Sequence, residues 1–414
     1  RSNASPSVKR ILRATYAWMV ENGYDENTIL TTEELYKWTK RKSFVKVENN
    51  LYRSPGGRKH KAPRLIQGAH ACFIVMVGPW FMAFQDHLKA VWSVDNYITF
   101  TSGCNSLELG NAIDLDGWQT LEDDIGAFDA SVDEKWLRVE CYVFRKFGMP
   151  PAVTQLVRAN FKTHGVTSKG IRYKRTGMRK SGDPYTSCGN SLLNGLMHIY
   201  IFCNRTNLPL FKAKLRIKML VQGDDNLARY QWDHDLPWAA DMKDFGFESI
   251  AIKRNNILEA EFCSNYLYRV KEGLTFGPKA GRILTKLGYF VNPPKLADPR
   301  AMVRGTALGL YNACVFIQPL KEYLDKILEL TANAPDWHAP FEEWKLCYTP
   351  CTAIPETQLT MDIKYGWTSL CTDEFSKNLD RVMLGCDHDC PLFEMLCDGN
   401  TGGPQNVYIG AACA

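Results

Sequence analysis

No stretch of the 414 residues approaches the roughly 20 consecutive apolar side chains that a membrane-spanning helix needs. The nearest, Ala69 to Phe84, carries His70 and is broken at Gly78-Pro79. Secretory signal, internal repeat and low-complexity tract are all missing. Ser2-Asn3-Ala4 reads as a leftover of recombinant expression, so the natural N-terminus is expected to lie outside this sequence. The 14 cysteines show no disulfide rhythm and, in a chain this long, read as reduced thiols of a cytosolic compartment. Charge of one sign is also scarce: the net value of +5 is too small to imply a polyanionic partner, although the cations are unevenly distributed. The composition, 45% hydrophobic and 23% charged, is that of a globular protein with room for two or three domains or one multi-lobed enzyme.

What is present centres on Met219-Leu220-Val221-Gln222-Gly223-Asp224-Asp225-Asn226-Leu227-Ala228-Arg229. An apolar run, a glycine, two carboxylates and a second run predict a strand, a tight turn and a returning strand. Adjacent like charges are costly unless a cation sits between them, and paired Asp side chains suit an oxygen-loving ion such as Mg²⁺ or Mn²⁺. Upstream, Trp118 to Asp124 predicts another strand, turning through Gly126 into a helix from about Ser131 to Phe147 that Pro150-Pro151 ends. The N-terminal 50 residues read as helical, Ala69 to Val94 as one or two buried helices, and Gly103 to Trp118 as irregular. Leu156 to Lys174 predicts a helix and a hairpin. Pro237 to Phe245 predicts a short helix stopped by Gly246, Ile250 to Ile252 a strand, Glu261 to Tyr268 part of a hairpin, and the rest a mainly helical lobe.

Two basic clusters stand out. One is the Gly/Pro-punctuated loop from Arg53 to Ile66; the other runs through Lys169, Arg172, Lys174, Arg175, Arg179 and Lys180 into the small-residue loop Ser181 to Asn194. Cations this dense cannot all pair internally, so each cluster is either a solvated surface or a phosphate site.

In their order these segments resemble the lettered motifs of viral RNA-dependent RNA polymerases. Lys61-Ala62-Pro63-Arg64-Leu65-Ile66 resembles motif F, and Asp124-x4-Asp129 with Phe128 and Ala130-Ser131 resembles motif A. Ser181-Gly182-x3-Thr186-x3-Asn190 resembles motif B and Gly223-Asp224-Asp225 motif C. Pro237 to Arg254 resembles motif D and Phe262-Cys263-Ser264 motif E. The match covers Arg58 to Leu267, half the chain, and is most similar to the positive-strand tombusvirus, nodavirus and flavivirus-like group; Gly277-Pro278-Lys279-x-Gly281-Arg282 points the same way. No single motif is decisive, and the weight lies in all six arriving in order.

The resemblance implies roles. Asp124 and Asp224 are metal ligands, with Asp225 an outer or occasional one, for two Mg²⁺ or Mn²⁺ ions roughly 3.5–4 Å apart. Asp123 points to the opposite strand face and is structural. Asp129, Thr186 and Asn190 select ribose through its 2′-OH. Ser181-Gly182 forms a flexible loop beside the template, and Lys61 and Arg64 grip the triphosphate. For Arg58 and Lys59, as for Arg172, Lys174 and Arg175, RNA phosphate contact and plain solvated surface stay open. A basic residue of motif D protonates pyrophosphate; Lys253 is preferred to its neighbour Arg254, since lysine gives up a proton more readily. Cys263-Ser264 resembles the turn that grips the product strand. Separately, Cys386, His388 and Cys390 with Cys397 are ligand-type residues, but their spacing departs from the usual zinc patterns.

The implied fold is α+β, a right hand. Fingers with the basic fingertip loop occupy 1–116, a first palm segment 117–145, a fingers insertion 146–179, a second palm segment with a small antiparallel sheet 180–275, and a helical thumb 276–414. The implied function is template-directed RNA synthesis from NTPs onto an RNA 3′ end, with template and nascent RNA as partners. Other replicase components and a host membrane would be reached through regions outside this chain, in the host cytoplasm. Two rivals remain. A reverse transcriptase would prefer an aromatic gate at Asp129, no Thr186–Asn190 pair, and an aromatic where Gln222-Gly223 stands. A non-catalytic RNA-binding relative would have no reason to keep Asp124, Asp224 and Asp225.

Overall fold

The computed structural model describes residues 5–46, 64–288, 290, 293, 296–335, 337, 349–383, 392 and 396. They form an α+β fold with small mixed sheets. The strands are β1 Arg41–Val45, β2 Leu65–Gly68, β3 Ile98–Phe100, β4 Gln119–Gly126, β5 Lys162–Thr167, β6 Arg172–Thr176, β7 Ile217–Gln222, β8 Asp225–Tyr230, β9 Glu248–Arg254, β10 Glu261–Phe262, β11 Asn265–Val270 and β12 Gly273–Pro278. The helices are α1 Pro6–Glu21, α2 Thr32–Thr39, α3 Ala71–Val91, α4 Ser106–Ile113, α5 Phe128–Ser131, α6 Glu134–Lys146, α7 Pro151–Ala159, α8 Thr186–Thr206, α9 Leu210–Ala213, α10 Trp238–Asp244, α11 Ala280–Lys286, α12 Pro299–Cys314, α13 Gln318–Leu330, α14 Thr357–Tyr365 and α15 Ser369–Met383.

Contacts divide the described residues into two compact units, one built from 5–46, 64–102 and 117–253, the other from 103–116 and the residues after 253. The first holds a five-stranded sheet ordered β3-β7-β8-β4-β9 and a four-stranded sheet ordered β2-β1-β5-β6. The five-stranded sheet is mixed rather than purely antiparallel, because β3 runs parallel to β7 along its edge. Met219, Val221, Ala228, Leu121 and Ile125 are buried in the core of this unit. Helix α8 is buried without interruption from Cys188 to Gly195, as a helix surrounded by protein must be. At Gly195 a Cβ would lie 2.8 Å from the Trp92 ring, so only glycine lets the helix come this near.

Helix α3 departs from the expectation of a broken run. It continues through Pro79 for 21 residues and is long and apolar enough, by length and composition, to cross a membrane. Core helices pass the same test, and here Phe73, Val77, Phe81, Phe84 and Leu88 are buried in the core of the unit. Phe81 and Phe84 meet Phe144 at 4.8 and 5.0 Å, and Phe81 stacks on Tyr185 at 4.4 Å. That packing outweighs the one backbone hydrogen bond that the proline forfeits.

In the second unit, residues 103–116 are not irregular. Asn105 Oδ1 accepts from the Glu108 N–H at 2.8 Å and Glu108 Oε2 accepts from the Asn105 N–H at 3.1 Å, a capping box that starts α4. The helix lies directly on β12: a Cβ at Gly110 would stand 2.0 Å from the Leu274 carbonyl. The β10–β11 turn places Cys263 and Ser264 at φ 49° and 61°, so both central residues are left-handed without being glycine. Each such residue costs about 1–2 kcal/mol. Cys263→Asn with Ser264→Gly is therefore expected to stabilise the chain by about 1 kcal/mol, read as a shift of the urea midpoint at constant m-value.

Candidate active site

The hairpin β7–β8 pairs Gln222 with Asp225, which leaves Gly223-Asp224 as a two-residue loop. Gly223 takes φ +66°, the left-handed value that glycine reaches freely at the first central position. Strand β4 lies on the other side of β8 and pairs Asp124 with Asp225. Directly opposed residues of an antiparallel pair share a face, with Cβ atoms about 4.5–5.5 Å apart. Three carboxylates from two distant segments thus gather at one end of the sheet. Strand β4 extends two residues past Asp124. A left-handed Ala127 (φ 50°) then turns the chain into α5, whose first turn carries Asp129.

Asp224 holds its proton more tightly than an ordinary carboxyl, because partial burial and then Asp129 and Asp124 disfavour its charge. The residue as a whole remains exposed at the tip of the loop. Its own backbone N–H and Arg64 act in the opposite direction, which puts the Arg64 charge within electrostatic reach of the turn. Among the described residues no three ligand-type side chains already converge as a metal cluster. The donor set is nevertheless all carboxylate, and the mutual repulsion registered at Asp224 is what a divalent cation relieves, so these residues fit a hard cation.

Beside the carboxylates, Asn190 Nδ2 donates to Asp129 Oδ1 at 2.8 Å and the Ser181 hydroxyl donates to Asp129 Oδ2. Thr186 stands outside this pair, its hydroxyl donating to the Lys180 carbonyl at 2.8 Å. The Ser181 carbonyl accepts from the Gln67 N–H at 2.9 Å, which ties the loop to β2, the strand that follows Arg64. Gly182 takes φ +109°, a conformation that side chains disfavour.

A set of polar residues on α8 that the motif pattern did not single out builds the turn. Ser187 Oγ accepts from Gln222 Nε2 at 3.1 Å, and Ser191 Oγ accepts from the Gly223 N–H at 2.8 Å. Asn194 Nδ2 donates to the Gly223 and Asp224 carbonyls at 3.1 Å each, while its Oδ1 accepts from Asn226 at 3.0 Å. His198 reaches the buried Asp123 at 2.9 Å on the opposite strand face, as expected for Asp123. Positions 187, 191, 194 and 198 form one helical stripe, and a polar stripe in an otherwise apolar helix was the available signal. Asn194→Ala leaves the two turn carbonyls without this partner. The expected cost is about 1–3 kcal/mol of stability and a lower kcat with NTP KM little changed, measured by urea unfolding and steady-state incorporation.

Lys253 lies apart from the carboxylates. A Cβ at Gly126 would lie 3.5 Å from the Glu248 carbonyl, so β9 starts beside the Asp124 end of β4 and runs away from it. Lys253 pairs with Asp235 at 2.6 Å, near Tyr230, whose partners Gln119 and Ile217 lie at the strand ends farthest from the turn. At about 3.4 Å per residue, Tyr230 is roughly 17 Å from Asp225. The hydrogen bond that Lys253 donates to Asp235 also raises the Lys253 pKa, the wrong direction for a proton donor. Arg254 and the Cys263-Ser264 turn belong to the second unit. Arg172, Lys174 and Arg175 lie exposed on β6. Arg58, Lys59, Lys61 and the Cys386, His388, Cys390 and Cys397 set lie outside the described residues.

Comparison with known proteins gives a consistent result. The family described as RNA dependent RNA polymerase matches residues 13–300. The RNA-directed RNA polymerase of Turnip crinkle virus is 30% identical over 236 residues, which is 54% of this chain and 29% of that protein. That of Melon necrotic spot virus is 28% identical over 240 residues, again 54% and 29%. A 60-residue stretch, 14% of this chain and 2% of that protein, is 47% identical to the genome polyprotein of Bovine viral diarrhea virus. These matches thus span less than a third of the length of the curated relatives.

Proposed function

The chain belongs to the RNA dependent RNA polymerase family, and from that premise we propose that it carries out template-directed RNA synthesis, adding NTPs to an RNA 3′ end. The observation that carries this reading is Asp124 paired across from Asp225, with Asp224 on the adjoining turn and the Asp129–Asn190 pair beside them. In right-hand terms the five-stranded sheet is the palm, the four-stranded sheet with its basic hairpin belongs to the fingers, and α11 to α15 form the thumb.

Asp124, Asp224 and Asp225 would hold two divalent cations, Mg²⁺ or Mn²⁺. Bound there, these supply a lowered pKa for the attacking 3′-hydroxyl and charge neutralisation on the departing pyrophosphate. Arg64 orients the triphosphate by its planar donor fork, with Lys61 as the expected companion from the same loop. Asp129 and Asn190 read the ribose 2′-OH, and Ser181 holds the second Asp129 oxygen in place. Arg172, Lys174 and Arg175 follow strand phosphates, and the Cys263-Ser264 turn supports the product strand.

The deciding experiment mixes the chain with an RNA template, NTPs or dNTPs, and Mg²⁺ or Mn²⁺. Incorporation of NTPs only, abolished by EDTA, is the expected outcome. Efficient dNTP use would favour a reverse transcriptase, and tight RNA binding without synthesis a non-catalytic relative.

A further inference from the structure

Arg179 lies just before the Ser181 loop and is buried: its side chain and that of Glu140 are each 1% exposed. Glu140 comes from α6. Its carboxylate accepts from Arg179 Nη1 at 2.8 Å and Nη2 at 2.6 Å, a two-pronged pair. A third donor, Arg179 Nε, is aimed elsewhere, at Asn190 Oδ1 2.8 Å away. The Arg179 backbone N–H donates to the Asp129 carbonyl at 2.7 Å. Burial on its own works against the Arg179 charge, but Glu140 outweighs it and the guanidinium pKa ends up raised.

The chemistry of the groups makes this chain directional. Arginine only donates, an ionised carboxylate only accepts, and the Asn190 amide does each from opposite ends. With Arg179 on one side, the amide oxygen must turn toward the guanidinium. Its N–H must then turn toward Asp129, and the 2.8 Å contact to Asp129 Oδ1 is made. We propose that Arg179, held by Glu140, is a specificity-determining positioning residue: it sets the orientation of the Asn190 amide and through it the sugar-reading state of Asp129. Gly189 belongs to the same device. A Cβ there would lie 2.1 Å from Glu140 Oε1 and 2.9 Å from Arg179 Nη2, so the ion pair can press against α8 only where no side chain intervenes.

The inference rests on reading Asp129 and Asn190 as the ribose sensor, and the test separates the two claims. The readout is the ratio of kcat/KM for NTP to that for the matching dNTP. Replacing one charge alone would strand the other, so the informative variant is Glu140→Leu with Arg179→Met, checked by circular dichroism. The ratio is expected to fall at least about tenfold, the cost of one misdirected hydrogen bond, mainly through poorer NTP use. Gly189→Ala keeps both charges but displaces them, and is expected to shift the ratio the same way; it carries the test if the double variant does not fold. A purely structural pair would lower NTP and dNTP use in parallel. An unchanged ratio in both variants, with Asn190→Ala in the same assay collapsing it, overturns the role of Arg179 and leaves the sensor intact. A ratio unmoved by Asn190→Ala overturns the sensor, and the inference with it.

Discussion

Asp224→Asn abolishes nucleotide incorporation, by on the order of a thousandfold or more, while the metal-free chain melts at or above the wild-type temperature. The activity loss follows from removing the carboxylate at the tip of the β7–β8 loop, next to the Asp124–Asp225 pair. The stability change has the opposite sign because the Asp224 carboxyl pKa is raised, first by burial and then by Asp129 and Asp124. A raised carboxyl pKa means that the folded chain binds this proton more tightly than the unfolded one. The associated stability is present at low pH and is lost as pH rises through the raised value. At neutral pH the ionised side chain is thus a burden that asparagine removes. Mn²⁺ should raise the melting temperature of the wild type at pH 7, raise that of the variant less, and lose its effect as the carboxylates protonate. Incorporation by Asp224→Asn at the wild-type rate would remove the basis for placing chemistry at this hairpin.

The residues legible from sequence were those whose signal is local or ordered along the chain. The hairpin announced itself as two short runs flanking Gly223-Asp224, and its φ of +66° at Gly223 is what the glycine was there to allow. Asp129 and Asn190 stood at recognisable spacings and do meet, at 2.8 Å. What stayed hidden depends on contacts between distant segments. Asn194 is one apparently misplaced amide in an apolar helix until the Gly223 and Asp224 carbonyls are seen 3.1 Å away. Pro79 breaks a pattern but not α3, because aromatic packing outweighs local propensity. The distance of Lys253 from the turn could not be read from composition either, since it follows from the direction of β9. The start of α4 was legible in principle: Asn105-x2-Glu108 is the capping signature that would have recovered it.

Asp183→Ala is expected to cost about 3–5 kcal/mol of folding free energy, enough to unfold much of the chain at 37 °C. The Asp183 and Arg41 side chains are both 0% exposed; Arg41 Nη1 stands 2.7 Å from Oδ1, and Nη2 donates to Oδ2 at 3.2 Å. Asn160 Nδ2 donates to the same carboxylate at 2.7 Å and to the Tyr185 hydroxyl at 2.8 Å. Lys180 completes the cluster, bonded to the Asn160 carbonyl, with its pKa pulled down to about 7 chiefly by burial. Without Asp183, Lys180 can escape by releasing its proton, but Arg41 cannot, so the loss concentrates on an uncompensated guanidinium. The lowered lysine pKa sets the pH trend. The unfolded chain binds this proton more tightly, so its contribution to stability improves as pH rises from about 7 toward the ordinary lysine value. Pairing Asp183→Leu with Arg41→Met removes both charges and should recover much of the loss in urea unfolding. This pair contrasts with Asp224→Asn. One keeps the fold and loses the chemistry; the other loses the chemistry only because the Ser181 loop, anchored by Asp183 two residues on, loses its support. A folded, inactive Asp183→Ala chain would instead place that carboxylate in the reaction itself.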